Sequence, residues 1–208
     1  MNLEYFLTLK LGETLPGVDA HQKMSSHNRP LGDEIIQYSK EARLSAVLIL
    51  LYKRDKNWQI VLMKRQSYKG VHSNQVSLPG GKKEESDLDL SYTALRESEE
   101  EVGINQNKVR LIGELTQIYI PPSKYLVSPY IGFYDDEPVF IPHPKEVKEI
   151  IELPLSMLLD QNIVKSTKMK FNNNFSLQVP YFDIHGHIVW GATAMILSEL
   201  KELLLEWK

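Results

Sequence analysis

The chain has 208 residues, no cysteine and a formal net charge of −3 at pH 7. Its 42% hydrophobic and 25% charged residues are typical of a globular protein, and the lack of cysteine excludes disulfides and thiolate chemistry. The weak net charge gives no indication of non-specific nucleic-acid binding, and no apolar run reaches the roughly 18 residues of a membrane span. We therefore expect a cytoplasmic protein without nucleic-acid or membrane partners, and the oligomeric state stays open.

The first part of the chain is predicted to form a short helix and a linker. Residues 1–11 have a loose apolar face at helical spacing. Residues 12–32 are rich in Gly, Pro, Ser and Asn, which is typical of an extended linker over a surface. Two histidines in it, His21 and His27, have no partner in the pattern and are predicted to be surface residues. We thus divide the chain into residues 1–40, packing on the domain, and residues 41–208, the domain itself.

Strands and helices follow in mixed order, which predicts an α+β fold with a mixed sheet between helices. Apolar or alternating patterns predict strands over residues 43–52, 58–64, 109–120, 125–134, 138–141, 165–171 and 176–184. Residues 146–153 fit either a strand or a helix. Residues 155–159 are predicted to form a short helix and residues 191–208 an amphipathic one. The predicted inward positions of this last helix are Met195, Ile196, Leu200, Leu203 and Leu204.

A helix with an acidic face is predicted before Gly103. It is expected to start between Ser86 and Asp89, to direct Leu88, Tyr92, Leu95 and Val102 into the core, and to end at Gly103. The acids Glu97, Glu100 and Glu101 are spaced i, i+3 and i+4, so they share one face. Like charges at this spacing destabilise a helix by about 0.2–0.5 kcal/mol per pair. A divalent cation would reverse that repulsion, and oxygen-only ligands favour Mg²⁺ or Mn²⁺; the alternative is a solvated acidic face.

The residues around these acids resemble the Nudix box, G-x5-E-x7-R-E-U-x-E-E-x-G-U, in which U is aliphatic. The positions that match the pattern are Gly81, Arg96, Glu97, Glu100, Glu101, Gly103 and Ile104. Ser98 stands where an aliphatic residue is usual. The gap from Gly81 to Arg96 is one residue longer than the pattern, and Asp87 or Asp89 must replace the mid-loop glutamate.

This resemblance implies a Nudix-type α/β/α sandwich that hydrolyses a small-molecule nucleoside diphosphate derivative with Mg²⁺ or Mn²⁺ as cofactor. It implies metal ligands at Glu97, Glu100, Glu101 and the carbonyl of Gly81, with Glu100 also catalytic. Arg96 is expected to orient a glutamate through a charge-assisted hydrogen bond.

A further carboxylate is expected as an extra ligand or as the base for water. The candidates are Glu146, Glu149 and Glu152. We favour Glu146 because residues 143–146, His-Pro-Lys-Glu, resemble the Asn-Pro-x-Glu-Val stretch of one family branch. The alternative is that Glu146 is only an exposed loop acid.

Residues 61–81 resemble the segment before the box in the coenzyme A pyrophosphatase branch, L-L-T-x-R-S-x3-R-x3-G-x-V-x-F-P-G-G. The matching residues are Leu62, Arg65, Val76, Pro79, Gly80 and Gly81. Gly70 replaces the second arginine of the pattern, and Asn74 replaces a glycine. Residues 188–194, IVWGATA, resemble the Trp-Gly-Ala-Thr-Ala segment of the same branch.

This branch implies cleavage of coenzyme A or its derivatives to 3′,5′-ADP and 4′-phosphopantetheine. The candidate substrate contacts are Arg65, Gln75, Lys64 and Lys69. Two alternatives stay open: a Nudix hydrolase acting on another diphosphate such as ADP-ribose or NADH, and a Nudix-fold binding module without catalysis.

Overall fold

The computed structural model of the protein describes residues 1–25, 30–67, 73–170 and 176–207. The α-helices in these ranges are α1 (Leu3–Leu11), α2 (Gly17–Gln22), α3 (Ile36–Ser39), α4 (Leu90–Val102), α5 (Leu155–Leu159) and α6 (Gly191–Leu204). The strands are β1 (Arg43–Arg54), β2 (Asn57–Arg65), β3 (Val76–Ser77), β4 (Gly80–Lys82), β5 (Val109–Glu114), β6 (Ile118–Ile120), β7 (Tyr125–Tyr134), β8 (Val147–Pro154), β9 (Val164–Lys170), β10 (Ser176–Ile184) and β11 (His187–Trp190).

Within the described ranges, eight strands form a mixed sheet around β1. The main path runs β3-β2-β1-β7-β5, with β1 parallel to β7 and antiparallel to β2. Strands β4, β6 and β8 pair in antiparallel fashion with β1, β7 and β2 respectively. The apolar run predicted to be a strand is therefore central and buried on both faces, as its composition requires.

Strands β3 and β4 are inserted where β1 and β2 separate. The two long strands pair only from Leu51 to Arg54 and from Asn57 to Ile60. Beyond that point β4 pairs with β1 through Val47, and β3 pairs with β2 through Met63. Because β7 and β8 occupy the outer edges of β1 and β2 there, β3 and β4 must fill the space between them. The Gly-Gly turn of the box thus lies inside the sheet.

Two layers cover the sheet. One face packs against α4, with Leu48, Leu50 and Val61 of the sheet buried with Ala94 and Val102 of the helix. The opposite face packs against α1, α5, α6 and a second sheet of β9, β10 and β11. This arrangement confirms the predicted α+β sandwich. Among the described helices, none is long and apolar enough to cross a membrane.

Several element predictions are corrected by the structure. Residues 138–141 form no strand, because they run as an extended segment along the end of α4, where the amide of Ile141 donates to the carbonyl of Val102 at 2.9 Å. The predicted strand 109–120 is interrupted and forms β5 and β6. Residues 146–153, left open, form the strand β8. Leu88 is 87% exposed rather than a core residue, because it precedes α4, which begins at Leu90; Tyr92 lies within α4 but on its outer side, where it is 37% exposed.

The N-terminal segment differs most from its prediction. The helix expected over residues 1–11 is present as α1, but the expected linker contains α2. His21, predicted to be a surface residue, is buried, and its Nε2 lies 2.9 Å from Oε2 of the buried Glu199 on α6. The same carboxylate accepts hydrogen bonds from the amide of Gly17 and the hydroxyl of Thr116. A buried carboxylate requires such partners, and here they attach α2 to the core. His27 lies outside the described residues.

We predict that Gly103→Ala destabilises the protein by about 2 kcal/mol or more. Gly103 ends α4 in the left-handed region, with φ +76, and an added Cβ would lie 2.7 Å from Cβ of Ile141. Backbone strain and the clash therefore add. Gly186→Ala is the matched control, because Gly186 has φ +83 but no atom within 4 Å of an added Cβ. Urea unfolding of both variants measures the difference; equal losses would show that the contact with Ile141 is unimportant.

Candidate active site

The start of α4 shows which aspartate replaces the mid-loop glutamate. Asp89 is the N-cap, and its side chain accepts a hydrogen bond from the amide of Tyr92 at 2.8 Å. Asp87 is instead buried beneath the helix, where it accepts from the amide of Glu84 and the hydroxyl of Thr93. The two acids thus have separate tasks: Asp89 begins the helix and Asp87 interacts with the side chains of the box.

Asp87 is bound by Arg96 through two hydrogen bonds. Nε and Nη2 of Arg96 donate to Oδ1 and Oδ2 of Asp87 at 2.8 and 3.0 Å. The bond from Arg96 holds the pKa of the Asp87 carboxyl well below its usual range. Arg96 also lies 3.0 Å from Glu97 and 3.3 Å from Glu100, and it donates to the carbonyl of Lys82. A single guanidinium therefore links the loop to the acidic face of α4.

The three acids of that face differ in exposure. The side chains of Glu97, Glu100 and Glu101 are 15%, 58% and 2% exposed. Burial raises the pKa of Glu97, and the charge of Arg96 opposes that rise. Glu100 is the most accessible of the three. The carboxylates of this face therefore range from the buried Glu101 to the solvent-exposed Glu100.

Glu101 joins the helix to the inserted strands. Its Oε2 accepts the amide hydrogen of Gly80 at 2.8 Å, and its Oε1 accepts a hydrogen bond from Nη1 of Arg65 at 3.1 Å. Burial raises the pKa of Glu101 to about 8, even though the Gly80 amide and the Arg65 charge oppose the rise. In the absence of a further cation, this carboxylate is therefore inadequately compensated.

Gly81 lies against the carboxylate of Glu97. A Cβ at position 81 would lie 2.3 Å from Cδ of Glu97. At Gly80 an added Cβ would lie 2.3 Å from the carbonyl oxygen of Ala46. Glycine is thus required at position 80, where an added Cβ would meet backbone, whereas a Cβ at position 81 would displace the Glu97 carboxylate. This close approach places backbone atoms of the turn beside the acidic face.

Of the three downstream acids, Glu146 is the one near this face. Burial is the main cause that raises the pKa of both Glu97 and Glu101, and the negative charge of Glu146 raises both further. Glu149 lies 3.4 Å from Nε2 of His187 on the other face of the sheet. Glu152 accepts hydrogen bonds from Tyr52 and Arg54, both at 2.6 Å. The structure thus brings Glu146, but neither alternative, to the predicted site.

The predicted substrate contacts are dispersed. Arg65 lies at the site through Glu101. Lys64 precedes it on β2 and is paired with Val76 and Glu149, so its side chain emerges on the opposite face of the sheet. The backbone carbonyl of Gln75 accepts a hydrogen bond from the backbone amide of Arg65 at 2.9 Å. Lys69, like Gly70, lies outside the described residues.

The donor set fits a hard divalent cation. Glu97, Glu100, Glu101 and the Gly81 carbonyl offer oxygen atoms alone, as Mg²⁺ and Mn²⁺ prefer. Two observations favour a cation: the close approach of Gly81 to Glu97, and the burial that raises the pKa of Glu97 and Glu101. Within the described ranges, no group of three or more His, Asp or Glu side chains is arranged to hold a metal ion. Arg96 and Arg65 instead engage these carboxylates.

Comparison with known proteins identifies the family. A sequence model of the NUDIX domain matches residues 42–172, which is more than half of the chain. The chain belongs to the Nudix family. It is 38% identical over 162 residues to Nudix hydrolase 15, mitochondrial, of Arabidopsis thaliana, covering 74% of this chain and 55% of that protein.

Two further relatives extend the comparison. Mitochondrial coenzyme A diphosphatase NUDT8 of Homo sapiens is 36% identical over 137 residues, covering 65% of this Nudix chain and 58% of that protein. Uncharacterized Nudix hydrolase NudL of Photorhabdus laumondii is 31% identical over 164 residues, covering 79% of this chain and 86% of that protein. The chain spans about half the length of Nudix hydrolases 15 and 22 of Arabidopsis thaliana.

A solved structure shows the same fold. The MutT/nudix family protein from Enterococcus faecalis is similar with a TM-score of 0.55 and 16% identity, covering 99% of this chain and 70% of that one. This similarity supports the Nudix fold of the whole described chain, including the N-terminal helices.

We predict that Asp87→Asn destabilises the protein by about 2 kcal/mol at pH 7, because bonds to a charged group are lost. The folded-state pKa of Asp87 is depressed, so its stabilisation is full above the unfolded pKa of about 3.9 and is lost as the pH falls through the folded value. The loss caused by the substitution should therefore shrink below about pH 4.

Urea unfolding from pH 7 to pH 3 measures this dependence. Asp89→Asn serves as the control, because asparagine caps a helix as well as aspartate does. A deficit for Asp87→Asn that stays constant over this pH range would contradict the assignment of the Asp87–Arg96 ion pair.

Proposed function

We propose that the protein is a divalent-metal-dependent Nudix hydrolase that cleaves the diphosphate bond of coenzyme A or its derivatives, giving 3′,5′-ADP and 4′-phosphopantetheine or its acyl form. The observation that carries the hydrolase assignment is the position of Glu97 and Glu101 against the Gly80-Gly81 turn, with Glu146 near enough for its charge to act on both. Such a site suits a diphosphate substrate, because one cation can bind both the negative oxygens of the diphosphate and the carboxylates of the protein.

Different residues of the proposed site act in different parts of the hydrolysis. A bound Mg²⁺ or Mn²⁺ would neutralise the charge of the diphosphate oxygens and lower the pKa of a water molecule bound to it. Glu97, Glu100, Glu101 and the Gly81 carbonyl would hold it. Glu146 accepts a proton from the attacking water at its carboxylate, since half of its side chain is exposed at the edge of the site. Arg96 restrains Glu97 and Glu100, and Arg65 restrains Glu101.

Two observations support coenzyme A as the substrate. One is the similarity to a relative named mitochondrial coenzyme A diphosphatase. The other is the Trp190-to-Ala194 segment, which resembles the Trp-Gly-Ala-Thr-Ala segment of the coenzyme A pyrophosphatase branch and forms the start of α6. There the hydroxyl of Thr193 donates to the carbonyl of Val76 at 3.3 Å, so the segment contacts the strand that leads into Gly80 and Gly81.

Cytoplasmic location is part of this proposal. It derives from the sequence composition, and the names of relatives include mitochondrial and chloroplastic forms. Imaging of the full chain in its own cells tests it.

We predict that the purified protein with Mg²⁺ or Mn²⁺ converts coenzyme A to 3′,5′-ADP and 4′-phosphopantetheine, seen by mass spectrometry. ADP-ribose and NADH are incubated in parallel. Faster cleavage of either would overturn the coenzyme A assignment and retain the hydrolase. Failure to cleave any of the three, with the metal bound, would favour a binding module.

We predict that Glu97→Gln and Glu100→Gln each lower turnover on the order of 10²-fold or more, because each removes a charged oxygen that acts on the transition state. The thermal unfolding midpoint should change little, especially for the exposed Glu100. Glu99→Gln is the matched control on the same helix. Its side chain accepts from the amide and side chain of Gln106, away from the site, so activity should be unchanged. Unimpaired turnover of Glu100→Gln would contradict the ligand set.

A further inference from the structure

The turn that carries Glu146 is fixed on two sides by the backbone. The amide of His143 donates to the carbonyl of Glu101 at 2.9 Å, which ties the turn to the end of α4. The carbonyl of His143 accepts from the amides of Glu146 and Val147 at 3.1 and 2.9 Å. From β2, the amide of Gln66 donates to the carbonyl of Glu146, and its side chain donates to that of Pro144. The position of the Glu146 backbone relative to Glu101 is therefore well determined.

The side chain of Glu146 is not held in the same way. It is 50% exposed, and no hydrogen bond reaches its carboxylate from any residue in the described ranges. A base that accepts a proton from water must be directed at that water. The backbone clamp cannot provide this direction, because two or three torsions separate the carboxylate from the backbone. A neighbouring side chain is needed.

His143 is placed to provide it. Its Nδ1 lies 3.9 Å from Oε1 of Glu146 across the turn. Nδ1 is buried and finds no hydrogen-bond partner among the residues that the structure describes, although the side chain as a whole is 41% exposed. A buried polar atom without a hydrogen-bond partner is unfavourable, so a partner at this atom is favoured. A small rotation of either side chain closes the gap to hydrogen-bond distance.

We propose that His143 is a positioning residue for Glu146: its Nδ1–H donates to the Glu146 carboxylate and directs that carboxylate at the attacking water. The role in catalysis rests on the proposed hydrolase function, whereas the hydrogen bond itself does not. This hydrogen bond requires the ring proton on Nδ1, which leaves Nε2 as an acceptor in the neutral imidazole.

The hydrogen bond is tested without turnover. Long-range ¹H–¹⁵N spectra of the full chain at pH 8 show which ring nitrogen of each histidine carries the proton, and His143→Asn assigns the signal. We expect the Nδ1–H form for His143 in the wild type and a change towards the Nε2–H form in Glu146→Ala. Glu149→Ala is the matched control, since it should alter His187 and leave His143 unchanged. An Nε2–H wild type, or no response to Glu146→Ala, overturns the proposal.

Kinetics test the role in catalysis. His143→Ala should lower kcat about ten- to hundredfold, with KM changed less than about threefold. His143→Asn should restore most of kcat, because its side-chain amide offers a donor near the position of Nδ1. In a Glu146→Gln background, His143→Ala should cause no further loss. Equal impairment of the alanine and asparagine variants, or an additive loss with Glu146→Gln, overturns the positioning role.

The spectra and the kinetics together distinguish failure of the positioning role from failure of the proposed function. The backbone bonds of residue 143 persist in every variant, so thermal unfolding midpoints should agree within a few degrees. If the wild type cleaves no diphosphate, the proposed function fails, and the spectra still decide whether His143 and Glu146 form a pair. If the wild type cleaves and the spectra show no pair, only the positioning role fails.

Discussion

The burial of carboxylates on one face of α4 is the constraint to which the rest of the site responds. Glu97 and Glu101 are taken out of water by the sheet, which raises their pKa values. Arg96 and Arg65 offset part of that cost from opposite sides. Arg96 is itself held by the buried Asp87. The two arginines therefore compensate the burial of these carboxylates in part, and the proposed cation would offset the remainder.

The inserted strands bring backbone to this face. Because β1 and β2 separate beyond Leu51 and Ile60, the chain from Val76 to Lys82 enters the sheet between them. A side chain at Gly80 would collide with β1, and one at Gly81 would collide with Glu97. The two glycines allow the sheet and α4 to meet without an intervening layer. The position of the proposed site at the end of this insertion follows from the topology of the sheet.

Local pattern predicts part of this arrangement well. The acidic face follows from residue spacing, the end of α4 from Gly103, and β7 from an apolar run. What the sequence cannot show depends on contacts between distant residues. His21 has no feature that marks it as buried, because its partner Glu199 is 178 positions away. The choice between Asp87 and Asp89 requires knowledge of where α4 starts. The choice among Glu146, Glu149 and Glu152 requires knowledge that Glu146 lies in the turn before β8, whereas the other two lie along β8 and have partners away from the site.

The contacts of Glu199 have a consequence for synthesis on the ribosome. Gly17 and His21 emerge early, but the carboxylate that satisfies them belongs to the last helix. The indole of Trp207 likewise donates to the carbonyl of Met1. Helix α1 can pair earlier, because Arg110 of β5 donates to Glu4, but α2 lacks its buried carboxylate partner until α6 has been synthesised, and non-local pairing of this kind folds slowly. During that interval the side of α2 that is buried in the fold, with Ala20 and His21, is open to chaperones.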